Sequence, residues 1–381
     1  MAVSVGAIVA NAYYAQPLLA DIARSFGLSV TKAGGVAMLT QVGTALGMLL
    51  FVPLGDTREK RGLITLLLLG SAASLVLIAT AANAVWLGLA SLLVGATGAT
   101  VHIFVPFAAH LAPPPQRGRV VGSVLSGLLF GILLARTVSG LLGAHFGWRA
   151  VYGLAAAMML GLAVLVQVFL PRSEPTARLS YLGLLRSIAA LVREHQALRE
   201  STLYGAILFC AFSAFWTTLV FLLETPPFHY GSQVAGLFGL IGAAGAAGAP
   251  VVGRLTDRHG ARVALGLSLG AVFLAYVLLG LTGKTLAGLI AGVILLDLGV
   301  QAGHVANQTR IYGLDPEARS RLNTFYMVCY FIGGSAGSLL GAYSWRLAGW
   351  TGVCGFSLIA VSLALVVFGL KVVRSRETTI N

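Results

Sequence analysis

Twelve apolar runs of about twenty residues, separated by short polar turns, leave this chain few folds to adopt. They cover roughly residues 2–20, 32–54, 63–82, 85–110, 119–143, 149–170, 201–223, 233–253, 262–281, 285–311, 321–343 and 350–370. A run of ~17–25 apolar residues is long enough to cross a bilayer as one helix. In hydrocarbon a single segment satisfies its own backbone only as a helix. The rest of the composition agrees: 57% of the 381 residues are hydrophobic and 10% are charged, against about 25% charged in an average soluble domain. The expected class is all-α integral membrane, with twelve transmembrane helices. An even number of spans puts both termini on one side. The first run starts at Ala2 with no basic leader and no small-residue cleavage site, so it reads as a span and not a signal peptide. It is short, and the native start is expected upstream.

Lysine and arginine set the orientation. Nineteen of the 25 fall on the side of the turn around Asp56, five on the other side, and Arg136 lies inside a span. The positive-inside rule makes the crowded side cytoplasmic, so both termini are expected in the cytoplasm. Trp86, Trp148, Trp345 and Trp350 fall at predicted outer ends, where an interfacial belt is expected. The net charge of +13 would suit nucleic acid, but its placement along membrane turns excludes that partner.

The chain repeats itself. Pro53-Leu-Gly-Asp-Thr-Arg-Glu-Lys-Arg-Gly62 returns 201 positions later as Gly253-Arg-Leu-Thr-Asp-Arg-His-Gly-Ala-Arg262. At an offset of 202, His102 matches His304, Pro114 matches Pro316, Arg117 and Arg119 match Arg319 and Arg321, and Gly147-Trp148 matches Gly349-Trp350. Parallel repeats around an axis normal to the membrane produce this pattern. The predicted domains are a six-helix bundle at 1–170, a cytoplasmic linker at 171–200 and a second bundle at 201–381. Within the linker, Tyr181–Arg199 is amphipathic and is expected to lie on the membrane surface.

These features resemble the major facilitator superfamily, whose loop signature reads Gly-x-Leu-x-Asp-Arg-x-Gly-Arg/Lys-Arg. The second copy matches through Gly253, Leu255, Asp257, Arg258, Gly260 and Arg262. The first keeps Leu54, Asp56, Lys60 and Arg61 and departs at Val52, Thr57 and Glu59. The resemblance implies alternating access, with Asp56, Arg58, Arg61, Asp257, Arg258 and Arg262 as a cytoplasmic gate. The segments Asn11-Ala-Tyr-Tyr-Ala-Gln-Pro17, Leu134-Ala-Arg-Thr-Val-Ser-Gly140 and Asp297-Leu-Gly-Val-Gln301 are similar to those of bacterial drug, sugar and nucleoside efflux permeases.

Of twelve acidic residues, only Asp297 falls near the middle of a span. An intramembrane carboxyl opposes insertion by about 2.5–3.5 kcal/mol and marks a proton or substrate path. Asp297, Gln301, His304 and Gln308 share one helical face. Asp297 and His304 are the candidate proton-coupling pair, the alternatives being a buried structural ion pair and a hydrogen-bonded packing histidine. Arg136 needs an anionic or multiply hydrogen-bonding partner, either an anionic substrate group or a carboxylate such as Asp297. Asn11, Tyr14, Gln16, Gln41, His102, Trp216, Asn323, Tyr326 and Tyr330 complete the candidate substrate-binding set, each competing with a plain packing role. Gly333, Gly337 and Gly341 form a small-residue face for close helix approach.

Gly283-Lys284-Thr285 mimics the end of a phosphate-binding loop, but Leu278 stands where its glycine belongs. Cys210, Cys329 and Cys354 lie in apolar runs and suggest neither disulfides nor a metal site. With no nucleophile–base set, the chain is expected not to be an enzyme and to need no cofactor or metal. The function expected is proton-coupled export of a small amphipathic molecule by a monomer whose partners are substrate, protons and lipid. Proton-driven uptake of a small organic anion through Arg136 is the alternative, and a non-transporting sensor of the same fold a third.

Overall fold

The computed structural model describes residues 1–173, 181–246, 258 and 260–380, without the side chains of Asp56, Pro114, Leu182, Ala246 and residues 372–380. Fourteen α-helices are described. The first span is two helices, α1 (Ala2–Ala10) and α2 (Ala15–Phe26). Pro17 explains part of that division: it lacks an N–H and is tolerated in a first turn, where donors have no intrahelical partner. Then follow α3 (Val30–Thr57), α4 (Lys60–Ala79), α5 (Ala84–Gly98), α6 (Val101–Leu111), α7 (Arg117–Phe146) and α8 (Trp148–Phe169). After the linker helix α9 (Tyr181–Glu194) come α10 (Gln196–Glu224), α11 (Ser232–Ala246), α12 (Ala261–Thr282), α13 (Leu286–Tyr312) and α14 (Arg319–Ile380). Together α5 and α6 make one apolar membrane-length segment, and α14 carries the last two runs, bent where Ala348 and Gly349 leave helical geometry.

Polar residues in the turns start the helices. Ser29 caps α3, and Asn83 caps α5 by accepting from the Trp86 N–H at 2.9 Å. Thr285, the last residue of the false phosphate loop, caps α13 through the Gly288 N–H. Its side chain satisfies a donor that the helix itself leaves open.

Contacts divide the chain into two compact units, Met1–Leu191 with Leu219–Leu240, and Val192–Thr218 with Ile241–Asn381. In the first, α4 packs on α8, α3 on α5, and α1 on α7. In the second, α12 packs on α13 and α14. There the glycine face expected on α14 meets α10: a Cβ on Gly333, Gly337 or Gly341 would strike the main chain of Ala206, Cys210 or Ala214.

Two expectations need correction. The linker helix turns its apolar residues Leu184, Ile188 and Leu191 into the protein, and the Tyr181 hydroxyl lies 3.5 Å from the Leu49 carbonyl of α3. Its apolar face is therefore covered by protein. Of the tryptophans, Trp86 is exposed, whereas Trp148 and Trp350 are buried. Their indole N–H groups donate to the Ser25 hydroxyl and the Leu279 carbonyl, each at 2.9 Å. The residues before them, Gly147 and Gly349, have φ of 81° and 57°, which explains why glycine precedes tryptophan twice.

Candidate functional site

Most of the candidate residues fall into two groups, one around Arg136 in the first unit and one along α13 in the second. In the first unit, Arg136 on α7 is 1% exposed. Its Nε donates to Gln16 Oε1 of α2 at 2.6 Å, and its guanidinium carbon lies 4.9 Å from the centre of the Tyr13 ring. A guanidinium cannot shed its charge on burial, so it depends on oriented acceptors and on the negative face of an aromatic ring. Tyr13, in the turn between α1 and α2, was not among the expected site residues. Asn11 is buried there and its Nδ2 approaches Met159 Sδ at 3.3 Å. Tyr14 lines an apolar groove of about 520 Å³ formed by α1, α7 and α8. Gln41 on α3 is buried, and His102 on α6 is half-buried.

In the second unit, Asp297 on α13 is 3% exposed. Space for its carboxyl is made by α11: a Cβ on Gly242 would lie 3.1 Å from Asp297 Oδ1 and 3.0 Å from Trp216 Cζ2. A Cβ on Gly245 would lie 3.1 Å from the Asp297 Cβ. Gln301, His304 and Gln308 are half-buried on the same face of α13. His304 is seven residues from Asp297, about 10 Å along the helix axis at 1.5 Å per residue. His304 Nδ1 lies 3.1 Å from the Tyr326 hydroxyl, and Gln308 Nε2 donates to Asn323 Oδ1 at 3.2 Å.

Aromatic side chains connect His304 with the surroundings of Asp297. The His304 and Tyr330 ring centres are 5.0 Å apart, and Tyr330 stacks on Phe209 at 4.0 Å. Phe209 stacks on Phe212, whose ring is 6.0 Å from Trp216, the neighbour of Asp297 across Gly242. Sequence reading found Trp216 and Tyr330 but missed Phe209 and Phe212. Steps of three and four residues, from Phe209 to Phe212 and on to Trp216, place all three on one face of α10, a usable signal.

Among the gate residues, the Asp56 side chain and the whole of Asp257 lie outside the described residues. Arg58 and Arg258 are exposed. Arg61, at the start of α4, donates to the Leu170 carbonyl at 3.3 Å and the Gln167 carbonyl at 3.5 Å, where α8 ends. Arg262, at the start of α12, donates to the Lys371 carbonyl of α14 at 2.8 Å. Donor and acceptor are both displaced by 201 positions between Arg61–Leu170 and Arg262–Lys371, so the repeat extends to tertiary contacts. A cation beside terminal carbonyls also opposes the negative end of the helix dipole.

Glu59, a departure from the family signature, caps α4. Its carboxylate accepts from the Arg61 N–H at 2.9 Å, the Gly62 N–H at 2.6 Å and the Ser173 N–H at 3.3 Å. Partial desolvation pushes this carboxyl upward, but the bonds from Gly62, Arg61 and Ser173 and the Arg61 charge outweigh it and hold it below its ordinary value. The second unit has its own ionic clasp: Glu200 pairs with Arg310 at 2.6 Å and Lys371 at 2.8 Å, joining α10, α13 and α14.

A family profile described as Major Facilitator Superfamily matches residues 1–338. The uncharacterized transporter YgaY of Escherichia coli O157:H7 is 42% identical over 366 residues, which cover 96% of this chain and 92% of that protein. A probable sugar efflux transporter of Pasteurella multocida is 26% identical over 325 residues, 85% of this chain and 79% of its own. Among solved structures, the nucleoside transporter NupG superimposes with a TM-score of 0.75 at 14% identity, covering 97% of this chain and 96% of that one.

Proposed function

Because this chain belongs to the major facilitator superfamily of membrane transporters, we propose that it exports a small amphipathic molecule in exchange for protons, with Asp297 as the coupling group. The observation that carries the reading is the burial of Asp297 on α13, beside Trp216 and at the end of a face bearing half-buried Gln301, His304 and Gln308. Burial favours the neutral form of a carboxyl and a bound cation favours the charged form. Such a group exchanges a proton when its surroundings alternate. The cargo belongs to the drug, sugar or nucleoside class, in keeping with the names of the sugar efflux and nucleoside relatives. The protein works in a bacterial inner membrane with the Glu59 turn and both termini in the cytoplasm.

The test uses the full chain in proteoliposomes loaded with candidate cargo, under an imposed pH gradient. Parent protein moves cargo faster with the gradient. Asp297→Asn removes the gradient dependence while cargo binding, read by thermal shift, survives. Undiminished gradient dependence in Asp297→Asn rejects the assignment.

A second reading is proton-driven uptake of a small organic anion. It is favoured by the buried guanidinium of Arg136, which Gln16 and Tyr13 hold in place. Oriented vesicles separate the two readings by the direction in which a given gradient concentrates cargo.

A further inference from the structure

The ionic clasp of the second unit carries more positive charge than one acid can engage. Glu200, near the start of α10, accepts from Arg310 of α13 at 2.6 Å and from Lys371 of α14 at 2.8 Å, and Gln196 Nε2 adds a third bond at 3.0 Å. The Glu200 side chain is 11% exposed, and those of Arg310 and Lys371 are 24% and 36% exposed. The two oxygens of one carboxylate are neighbours, so the guanidinium and the ammonium stand side by side. Arg262, at the start of α12, donates to the Lys371 carbonyl at 2.8 Å. Tyr204, one turn after Glu200, is within electrostatic range of Glu200, Arg310 and Arg262 and meets Phe368 of α14 edge-on at 5.9 Å. A guanidinium has five N–H donors and an ammonium three, more than one carboxylate accepts. The repeat supplies a comparison. In the first unit Arg61 lies on the Leu170 carbonyl as Arg262 lies on that of Lys371. Offsets of 201 and 202 put Leu170 or Phe169 in the place of Lys371, and Ala109 or Ala108 in the place of Arg310. The same corner is built there without these two cations, so the fold alone does not call for them.

Apolar ladders start beside these cations, which stand at the ends of two membrane-length segments. Val263 and Leu267 follow Arg262 on α12, and Leu370 and Val366 precede Lys371 on α14. All four are exposed, and the spacing of four places each pair on one helical face. The two helices pack together here, since a Cβ on Gly266 would lie 2.9 Å from Phe368 Cε1. A molecule with a phosphate head and long tails matches both the charge and the ladders, whereas a free phosphate matches only the charge. The geometry points to a binding site for the phosphate head group of an anionic phospholipid. Lys371 and Arg310 are its ligands, Glu200 positions them, and the tails lie along the ladders of α12 and α14. Each basic residue at a membrane surface strengthens binding to anionic lipid by about fivefold. A phosphate accepts from the ammonium as a point charge and from the guanidinium as a fork. The site depends on neither the cargo nor the proton coupling proposed above.

The experiment uses the full-length protein in detergent micelles doped with phosphatidylglycerol or with phosphatidylcholine of the same tails. Bound lipid is read by native mass spectrometry. Parent protein retains phosphatidylglycerol in preference. Lys371→Gln and Arg310→Gln each lower that retention about fivefold, and Lys371→Arg keeps it. Arg186→Gln, which removes an exposed charge from the linker helix α9, leaves it unchanged. A glutamine at 371 still donates to Glu200, so Lys371→Gln folds, as its circular dichroism melting curve checks, and decides the matter even if Arg310→Gln does not fold. Equal retention of the two lipids overturns the proposal, as does undiminished retention in Lys371→Gln. An equal loss in Arg186→Gln and Lys371→Gln also overturns it, because it indicates diffuse attraction and not a site. Inorganic phosphate and glycerol phosphate separate the two sources of the head-group chemistry. At millimolar concentration neither displaces the lipid more than chloride of equal ionic strength does. Displacement beyond that level assigns the corner to a soluble anion and overturns the lipid site.

Discussion

The bond between Arg136 and Gln16 predicts a large non-additivity between two single substitutions. Gln16 Oε1 accepts from Arg136 Nε at 2.6 Å, and both residues are buried. A hydrogen bond to a charged group contributes about 1.5–3 kcal/mol, and a buried donor left without its acceptor loses roughly that amount. Gln16→Leu keeps the size of the side chain but removes the acceptor, so it destabilises by about 1.5–3 kcal/mol. The Tyr13 ring still faces the cation and supplies on the order of 0.5–2 kcal/mol of attraction, which keeps the variant folded. Arg136→Met removes the cation and leaves the Gln16 amide without its donor, again at about 1–3 kcal/mol. The double variant has neither group to desolvate. It is less destabilised than the sum of the singles, by a coupling of about 1.5–3 kcal/mol. The assay is reversible unfolding of purified protein in mixed micelles titrated with a denaturing detergent, followed by circular dichroism. Additivity within about 0.5 kcal/mol refutes the reasoning, because it would mean the two side chains do not depend on each other.

Other substitutions report on neighbouring features. Gly245→Ala places a methyl 2.5 Å from the Ile294 carbonyl oxygen and 3.1 Å from Asp297 Cβ. Main chain cannot move aside there, and overpacking of about 1–3 kcal/mol is expected in the same unfolding assay; a variant as stable as the parent contradicts the tight seat for Asp297. Glu59 titrates below its ordinary value of 4.5 in the folded protein, so its stabilisation is present above the unfolded pKa and lost as pH falls through the folded one. The melting temperature of Glu59→Gln is therefore lower than the parent's at pH 7, and the difference shrinks as pH falls below about 4.5. A gap that widens on acidification has the wrong sign for this cap.

Much of the architecture could be read without coordinates. Hydrocarbon allows an isolated apolar run only one hydrogen-bonded form, so run length and spacing led directly to helices. Periodicity placed Asp297, Gln301, His304 and Gln308 on one face of α13, and placed Gly333, Gly337 and Gly341 on the face of α14 that meets α10. The doubled turn announced a duplication, which the contacts of Arg61 and Arg262 carry into three dimensions.

What a residue faces was a different matter. Glu59 looked like a lapse from a loop signature and is the cap of α4. Trp148 and Trp350 looked like interfacial anchors and are buried hydrogen-bond donors. Arg136 was visibly a cation in need of company, yet Gln16, 120 positions away, and Tyr13 were singled out only by the packing of α2 against α7. Glu200 and Lys371, its partner on α14, are 171 positions apart. The solvent in which a segment folds acts on that segment alone, so local sequence determines the helices and the sides they present. Pairing between sides depends on the shapes of all the helices at once, and only the assembled tertiary structure decides it.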